Sequence, residues 1–90
     1  MDSIPKKYIV RLTRKAEKQL KALGKTDYAK IRSAIEKLAE NPRGHYSIKL
    51  TDSDNEYRMR VGDFRILYTI EDNILTVFVF DVLNRRDAYK

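Results

Sequence analysis

The stretch E-Y-R-M-R-V-G-D-F-R-I-L-Y, Glu56 to Tyr68, decides the fold. Aromatic and β-branched residues alternate with arginine on both sides of Gly62-Asp63, which reads as two strands joined by a tight turn. Glycine at the first turn position suits a type II′ hairpin, because it tolerates positive φ. Such a turn fixes the register: Val61 faces Phe64, Arg60 faces Arg65, Met59 faces Ile66, Arg58 faces Leu67 and Tyr57 faces Tyr68. Side chains alternate along a strand. Tyr57, Met59, Val61, Phe64, Ile66 and Tyr68 therefore share an apolar face, and Arg58, Arg60 and Arg65 share the other. Like charges opposite one another destabilise a sheet, and only Glu56 lies on that face to offset them. The arginines either lie in solvent or form a preformed site for a polyanion, to which the planar guanidinium fork is suited.

Working outward, Tyr8 to Leu12 reads as a first strand. Thr13 is placed to cap a helix from Arg14 to Leu23. Ala16, Leu20 and Leu23 give that helix an apolar face, and Gly24 ends it as a C′ residue would. Thr26 or Asp27 caps a second helix, which runs to Glu40, with Tyr28, Ile31, Ala34, Ile35 and Leu38 as its buried stripe. Asn41-Pro42 stops it, since proline disfavours helix at the preceding residue. Pro42 to Tyr46 reads as a loop and Ser47 to Leu50 as a short strand. After the hairpin, Glu71-Asp72-Asn73 reads as a turn and Ile74 to Val82 as a last strand, apolar on both faces and hence central. A two-residue turn would put Leu75, Val77 and Val79 on the apolar face and Phe78 and Phe80 on the arginine face. Core packing is the commoner use of such phenylalanines and base stacking the alternative. The result is one α+β domain spanning residues 1–90, β-α-α-β-β-β-β, with an antiparallel helix pair on one face of an antiparallel sheet.

The net charge is +6. All of that excess sits in residues 1–40, which carry 11 Lys or Arg against 5 Asp or Glu; residues 41–90 carry 8 of each. Such a balance favours nucleic acid or an acidic protein partner. Arg14, Lys18, Lys21 and Lys25 recur at helical spacing opposite the apolar face. They read either as a solvated surface or as phosphate contacts, and Lys49 is a further exposed cation. Cysteine is absent and histidine occurs once, at His45, so neither a thiolate nor a histidine metal site is expected, and no cofactor is implied. Met1 to Lys6 lacks an apolar run and no stretch nears the ~20 apolar residues of a membrane span, so a cytoplasmic setting is the expectation. The nucleophile motifs, phosphate loops and zinc motifs of common enzymes are missing. What remains is the set Arg58, Arg60, Arg65 with Arg85, Arg86 and Tyr89 of the tail. RNA supplies its own nucleophile, the 2′-OH, so such a set needs only to align it and stabilise the charge developing on phosphate.

Tyr57 to Tyr68, Asn41-Pro42, Lys49-Leu50 and the tail R-R-D-A-Y-K together resemble the RelE-type toxins of the RelE/ParE superfamily, over essentially the whole chain. The resemblance implies a type II toxin–antitoxin pair. The toxin would enter the ribosomal A site and cut mRNA without a metal, and a cognate antitoxin would wrap and block it. It implies catalytic roles for Arg58, Arg60, Arg65, Arg85 and Tyr89; on the charge pattern, Arg14, Lys18, Lys21, Lys25, Lys49 and Arg86 are the candidate RNA-binding residues. In well-studied members the first two catalytic positions are lysines, one of them a general base; both are arginine here. The usual Gly-His before the tail arginines is Leu83-Asn84. Two alternatives are a ParE-like toxin that poisons DNA gyrase without cutting RNA, and a non-catalytic chain that only binds its antitoxin.

Overall fold

A computed structural model describes residues 7–84. The elements are β1 (Ile9–Leu12), α1 (Arg14–Lys21), α2 (Lys25–Glu40), β2 (Ser47–Lys49), β3 (Glu56–Val61), β4 (Phe64–Glu71), a 3-10 turn (Asp72–Ile74) and β5 (Thr76–Asn84). The five strands form one sheet in the order β1-β5-β4-β3-β2. The α+β order is as read from sequence, and β5 is an interior strand between β1 and β4, with β4 in the middle of the sheet. The sheet is mixed rather than antiparallel throughout, because β1 pairs with β5 in parallel.

The hairpin register is the one the sequence requires, from Tyr57 opposite Tyr68 to Val61 opposite Phe64. Gly62 takes φ +57° and Leu75 is the only described non-glycine residue with positive φ. Asp63 therefore has negative φ, as a type II′ turn demands. Met59, Phe64, Ile66 and Tyr68 are buried, with Ile70, Val77, Val79 and Val82, against Ala16 and Leu20 of α1 and Ile31, Ala34, Ile35 and Leu38 of α2. Fully burying each of the larger apolar side chains contributes about 1.5–3 kcal/mol.

The helix ends differ from expectation. Thr13 caps α1, its hydroxyl oxygen accepting from the Ala16 N–H at 3.2 Å, but α1 ends at Lys21 rather than Leu23. Gly24 is not a left-handed C′ residue: its φ is −68° and it is the N-cap of α2. Thr26 and Asp27 accordingly lie inside the first turn of α2. Tyr28 is not part of the buried stripe and is 38% exposed. Asn41 ends α2 in an extended conformation, as a residue before proline should.

β5 starts at Thr76 and not at Ile74, because the 3-10 turn uses Asp72 to Ile74 and Leu75 caps it with φ 47°. Four residues thus separate Glu71 from its partner Thr76. An even number keeps the parity of a two-residue turn, so Val77 and Val79 still face the core, while Leu75 lies outside the strand. A bulge follows. Tyr68 faces Val79 but Leu67 faces Asp81, leaving Phe80 as the extra residue. Parity then inverts, which brings Val82 into the core. Phe78 and Phe80 are both partly exposed and neither joins the buried cluster, so core packing, the commoner use, is not theirs. No helix among the described residues is long and apolar enough to cross a membrane.

Candidate nucleic-acid interface

Alternation along β3 and β4 sets Arg58 beside Leu67 and Arg60 beside Arg65 on the face away from the core. Arg58 and Arg65 are half-buried and Arg60 is exposed. None of the three side chains forms an ion pair or hydrogen bond among the described residues. Phe78, opposite Thr69, and Leu83, opposite Arg65, continue the same face into β5. The surface is a row of unpaired guanidinium groups on a partly apolar sheet, which is suited to phosphate contact with flanking base contact.

Arg60 differs from the other two. β2 begins at Ser47, opposite Met59, so β3 has no outer neighbour from Arg60 onward. At that free edge Arg60 borders two spaces. One is a small hollow at the hairpin tip with Gly62, Asp63, Phe64 and Arg65. The other is a groove of about 320 Å³ between α2 and β3, lined by Lys30, Ser33, Ala34, Lys37, Tyr46, Met59, Arg60 and Val61. The three hairpin arginines are therefore not one uniform cluster.

Lys49 is exposed on β2 but pairs opposite Tyr57, whereas Ile48 sits opposite Arg58. Its side chain is on the other face from Arg58, so the fold does not bring the two together. Arg14, Lys18 and Lys21 are exposed on α1. Lys25 is the first residue of α2, so the stripe of four does not run along one helix. Arg85, Arg86 and Tyr89 lie outside the described residues.

Several carboxylates are engaged by partners other than the three hairpin arginines. Arg43 donates to both oxygens of Asp72, Nη1 at 3.1 Å and Nη2 at 2.7 Å, and its Nε donates to the Tyr57 hydroxyl at 3.3 Å. Tyr8 donates to Asp72 at 2.6 Å. That hydrogen bond, with burial second, raises the Tyr8 pKa, and the Asp72 carboxylate in turn holds Arg43 firmly protonated. Asp81, beside the bulge, accepts from Gln19 at 2.8 Å and Lys15 at 3.2 Å. Gln19 Oε1 also accepts from the Val82 N–H at 2.7 Å. β1 has ended opposite Val79, so α1 supplies an acceptor that the edge strand no longer provides.

Sequence reasoning missed Lys30, Lys37, Tyr46 and Arg43. Lys30 and Lys37 are seven apart and flank the apolar stripe of α2, a spacing that puts them on one side of the helix. That signal was available. The place of Tyr46 was not, because it depends on how the loop 41–46 folds back.

The family model for the ParE toxin of type II toxin–antitoxin systems, parDE, matches residues 10–89. A Methanocaldococcus jannaschii chain assigned as a RelE1 toxin is 32% identical over 87 residues, covering 93% of this chain and 97% of that one. A chain of the Mycobacterium tuberculosis toxin–antitoxin complex RelBE2 superposes with a TM-score of 0.80 at 27% identity, over 93% of this chain and 98% of that chain. The isolated Escherichia coli RelE toxin shares the fold, with a TM-score of 0.77 at 24% identity, over 86% of this chain and 83% of that chain. With the arginine-bearing hairpin and the strand order, these likenesses establish that the chain belongs to the RelE/ParE superfamily of type II toxin–antitoxin toxins.

Proposed function

We propose that this chain is a ribosome-dependent endoribonuclease, acting in the cytoplasm on mRNA in the ribosomal A site and silenced by a cognate antitoxin. The observation that carries the reading is the set Arg58, Arg60 and Arg65 on one hairpin, without ion-pair partners among the described residues. The likeness to RelE-named chains supports it further, and the RelBE2 complex supports an antitoxin as partner. The 2′-OH attacks its own 3′-phosphate, the bond from phosphorus to the 5′-oxygen breaks, and a 2′,3′-cyclic phosphate and a 5′-OH result. Arg65 and Arg85 hold the scissile phosphate and its developing charge. Arg58 and Arg60 orient the backbone, and Tyr89 stacks on the base beside the cut. Arg14, Lys18, Lys21, Lys25, Lys49 and Arg86 contact ribosomal RNA phosphates. Arginine is a poor base because its pKa exceeds about 12, so the 2′-OH proton leaves to water and the departing 5′-oxygen takes up a proton from water.

The test is primer extension on a message translated in a purified system, with and without the protein. Cuts at codons in the A site, absent without ribosomes and absent once antitoxin is added, are the expected result. An intact message overturns the reading. A second reading has one observation in its favour: the matching family model is that of ParE toxins. Under it the chain poisons DNA gyrase, and inhibition of supercoiling with an intact message would select it.

A further inference from the structure

The groove between α2 and β3 has a composition that the arginine face does not explain. Lys30, Ser33, Ala34 and Lys37 occupy one side of α2, and Met59, Arg60 and Val61 form the opposite wall. Three of the eight lining residues are cationic and none is acidic. Neither Lys30 nor Lys37 has a carboxylate partner among the described residues. The Lys30 ammonium lies over the hairpin turn, 3.7 Å from where a Cβ on Gly62 would stand, which sets a cation at the groove's mouth next to Arg60.

Tyr46 supplies an aromatic wall, and it is held in place. Its hydroxyl donates to the Asn41 carbonyl and, more weakly, to that of Lys37. Gly44 packs against the ring so closely that a Cβ there would come within 2.6 Å of it. His45 meets the ring edge-on at 5.5 Å between centroids. Burial, with Glu40 adding to it, raises the Tyr46 pKa, so the ring keeps its neutral phenol form.

We propose that this groove is a track for single-stranded RNA, in which Lys30, Lys37 and Arg60 take successive phosphates while Tyr46 stacks on a base. A cationic channel with a fixed aromatic is the arrangement by which proteins hold single strands without reading sequence. An acidic peptide would use the lysines and leave the ring unexplained. The inference deepens the ribonuclease reading: it gives the message a path past the hairpin edge and makes Arg60 the link between that path and the arginine face. Lys30 and Lys37 act there as binding residues and touch no reacting atom.

The experiment is fluorescence anisotropy of a labelled single-stranded RNA with the full chain across a salt series. Lys30→Gln/Lys37→Gln should weaken binding and lower the slope of log K against log[salt] by about 1.4, from about 0.7 per phosphate contact. Arg32→Gln/Lys7→Gln removes as many charges beyond the groove and should change neither as much. Tyr46→Ala should weaken binding roughly five- to 150-fold, the range for one stacked base, and Tyr46→Phe should retain it. Unchanged affinity and slope in the lysine pair would overturn the proposal. Unchanged RNA binding with lost binding of a Glu-rich peptide would overturn it in favour of a peptide seat. RNA binding that depends on the lysines, in a protein that never cuts message, leaves this inference standing and defeats the nuclease reading. Cleavage with RNA binding indifferent to the lysines does the reverse.

Discussion

Tyr68→Phe isolates one buried hydroxyl that ties the loop after α2 to the middle of the sheet. The Tyr68 side chain is fully buried, its hydroxyl donates to the Pro42 carbonyl at 2.7 Å, and its ring stacks on Tyr57 at 5.9 Å. Phenylalanine keeps the ring and leaves the carbonyl without its donor. That should cost about 1–2 kcal/mol at neutral pH. Burial is also the main reason the Tyr68 pKa is pushed up to about 12, outweighing Ser47, which favours the anion. The unfolded chain ionises near its ordinary value of about 10. A raised folded pKa means that the native state holds its proton longer. The stabilisation is fully present below pH ~10 and is lost as pH rises towards ~12, at about 1.4 kcal/mol per pH unit within that window. At pH ~11 wild type should have lost about 1.4 kcal/mol through this group, and Tyr68→Phe nothing through it. Urea titrations at pH 7, 9, 10 and 11 should therefore show the wild-type advantage constant up to pH 9 and nearly gone at pH 11. Tyr8, also raised, titrates in both proteins and cancels in the difference, and Tyr46, whose charge acts on Tyr68, contributes less than burial does. A stability difference that stays constant to pH 11 would refute the assignment of the shift to burial of Tyr68.

Arg65→Ala should lower mRNA cleavage roughly a hundred- to thousandfold, as loss of one charge-stabilising donor does, with the thermal midpoint little changed; primer extension and calorimetry measure the two. Arg58→Lys should keep or raise activity, because a partly desolvated lysine can serve as a base where arginine cannot, and single-turnover rates against pH read this out. Replacing Arg14, Lys18, Lys21 and Lys25 by Gln should weaken ribosome binding and flatten its salt dependence while leaving the cut positions where they were. Gly44→Ala should destabilise the fold by about 1–3 kcal/mol, since the new methyl meets the Tyr46 ring and one of the two must move; urea denaturation measures it.

The hairpin was legible because period-2 alternation and one turn glycine over-determine it. A one-residue slip would expose Met59 and Ile66 and bury Arg58 and Arg65. The second helix was legible from Ile31, Ala34, Ile35 and Leu38, and its end from Pro42. Gly24 misled because a glycine between helices serves equally as the end of one or the cap of the next, and only φ separates the two. β5 was half legible. Its apolar character marks an interior strand, but a bulge at Phe80 leaves no trace in a run of alternating Val and Phe. Lys49 was misplaced for want of the β2–β3 register, which sets it on the face opposite Arg58. Arg60 kept its register but gained a second surface, because the length of β2 decides where β3 becomes an edge.

Four carboxylates have partners other than the hairpin arginines. Asp72 is engaged by Arg43 and Tyr8, Asp81 by Lys15 and Gln19, Glu71 by the Asn55 amide at 2.7 Å, and Glu36 by Arg32 one helical turn away. The ion pairs among these are largely exposed, and such pairs are individually worth about 0–1 kcal/mol. Their larger effect is on where charge sits: each of these acids has a partner other than Arg58, Arg60 and Arg65. Arg60 opposite Arg65 costs a further few tenths of a kcal/mol up to about 1. A polyanion that binds that surface more tightly than it binds the unfolded chain removes the repulsion and raises the apparent stability, by up to about 2.7 kcal/mol at a hundred times its Kd. RNA and an acidic antitoxin segment both meet that requirement on charge alone. They part at Tyr46, where a base has a ring to stack on.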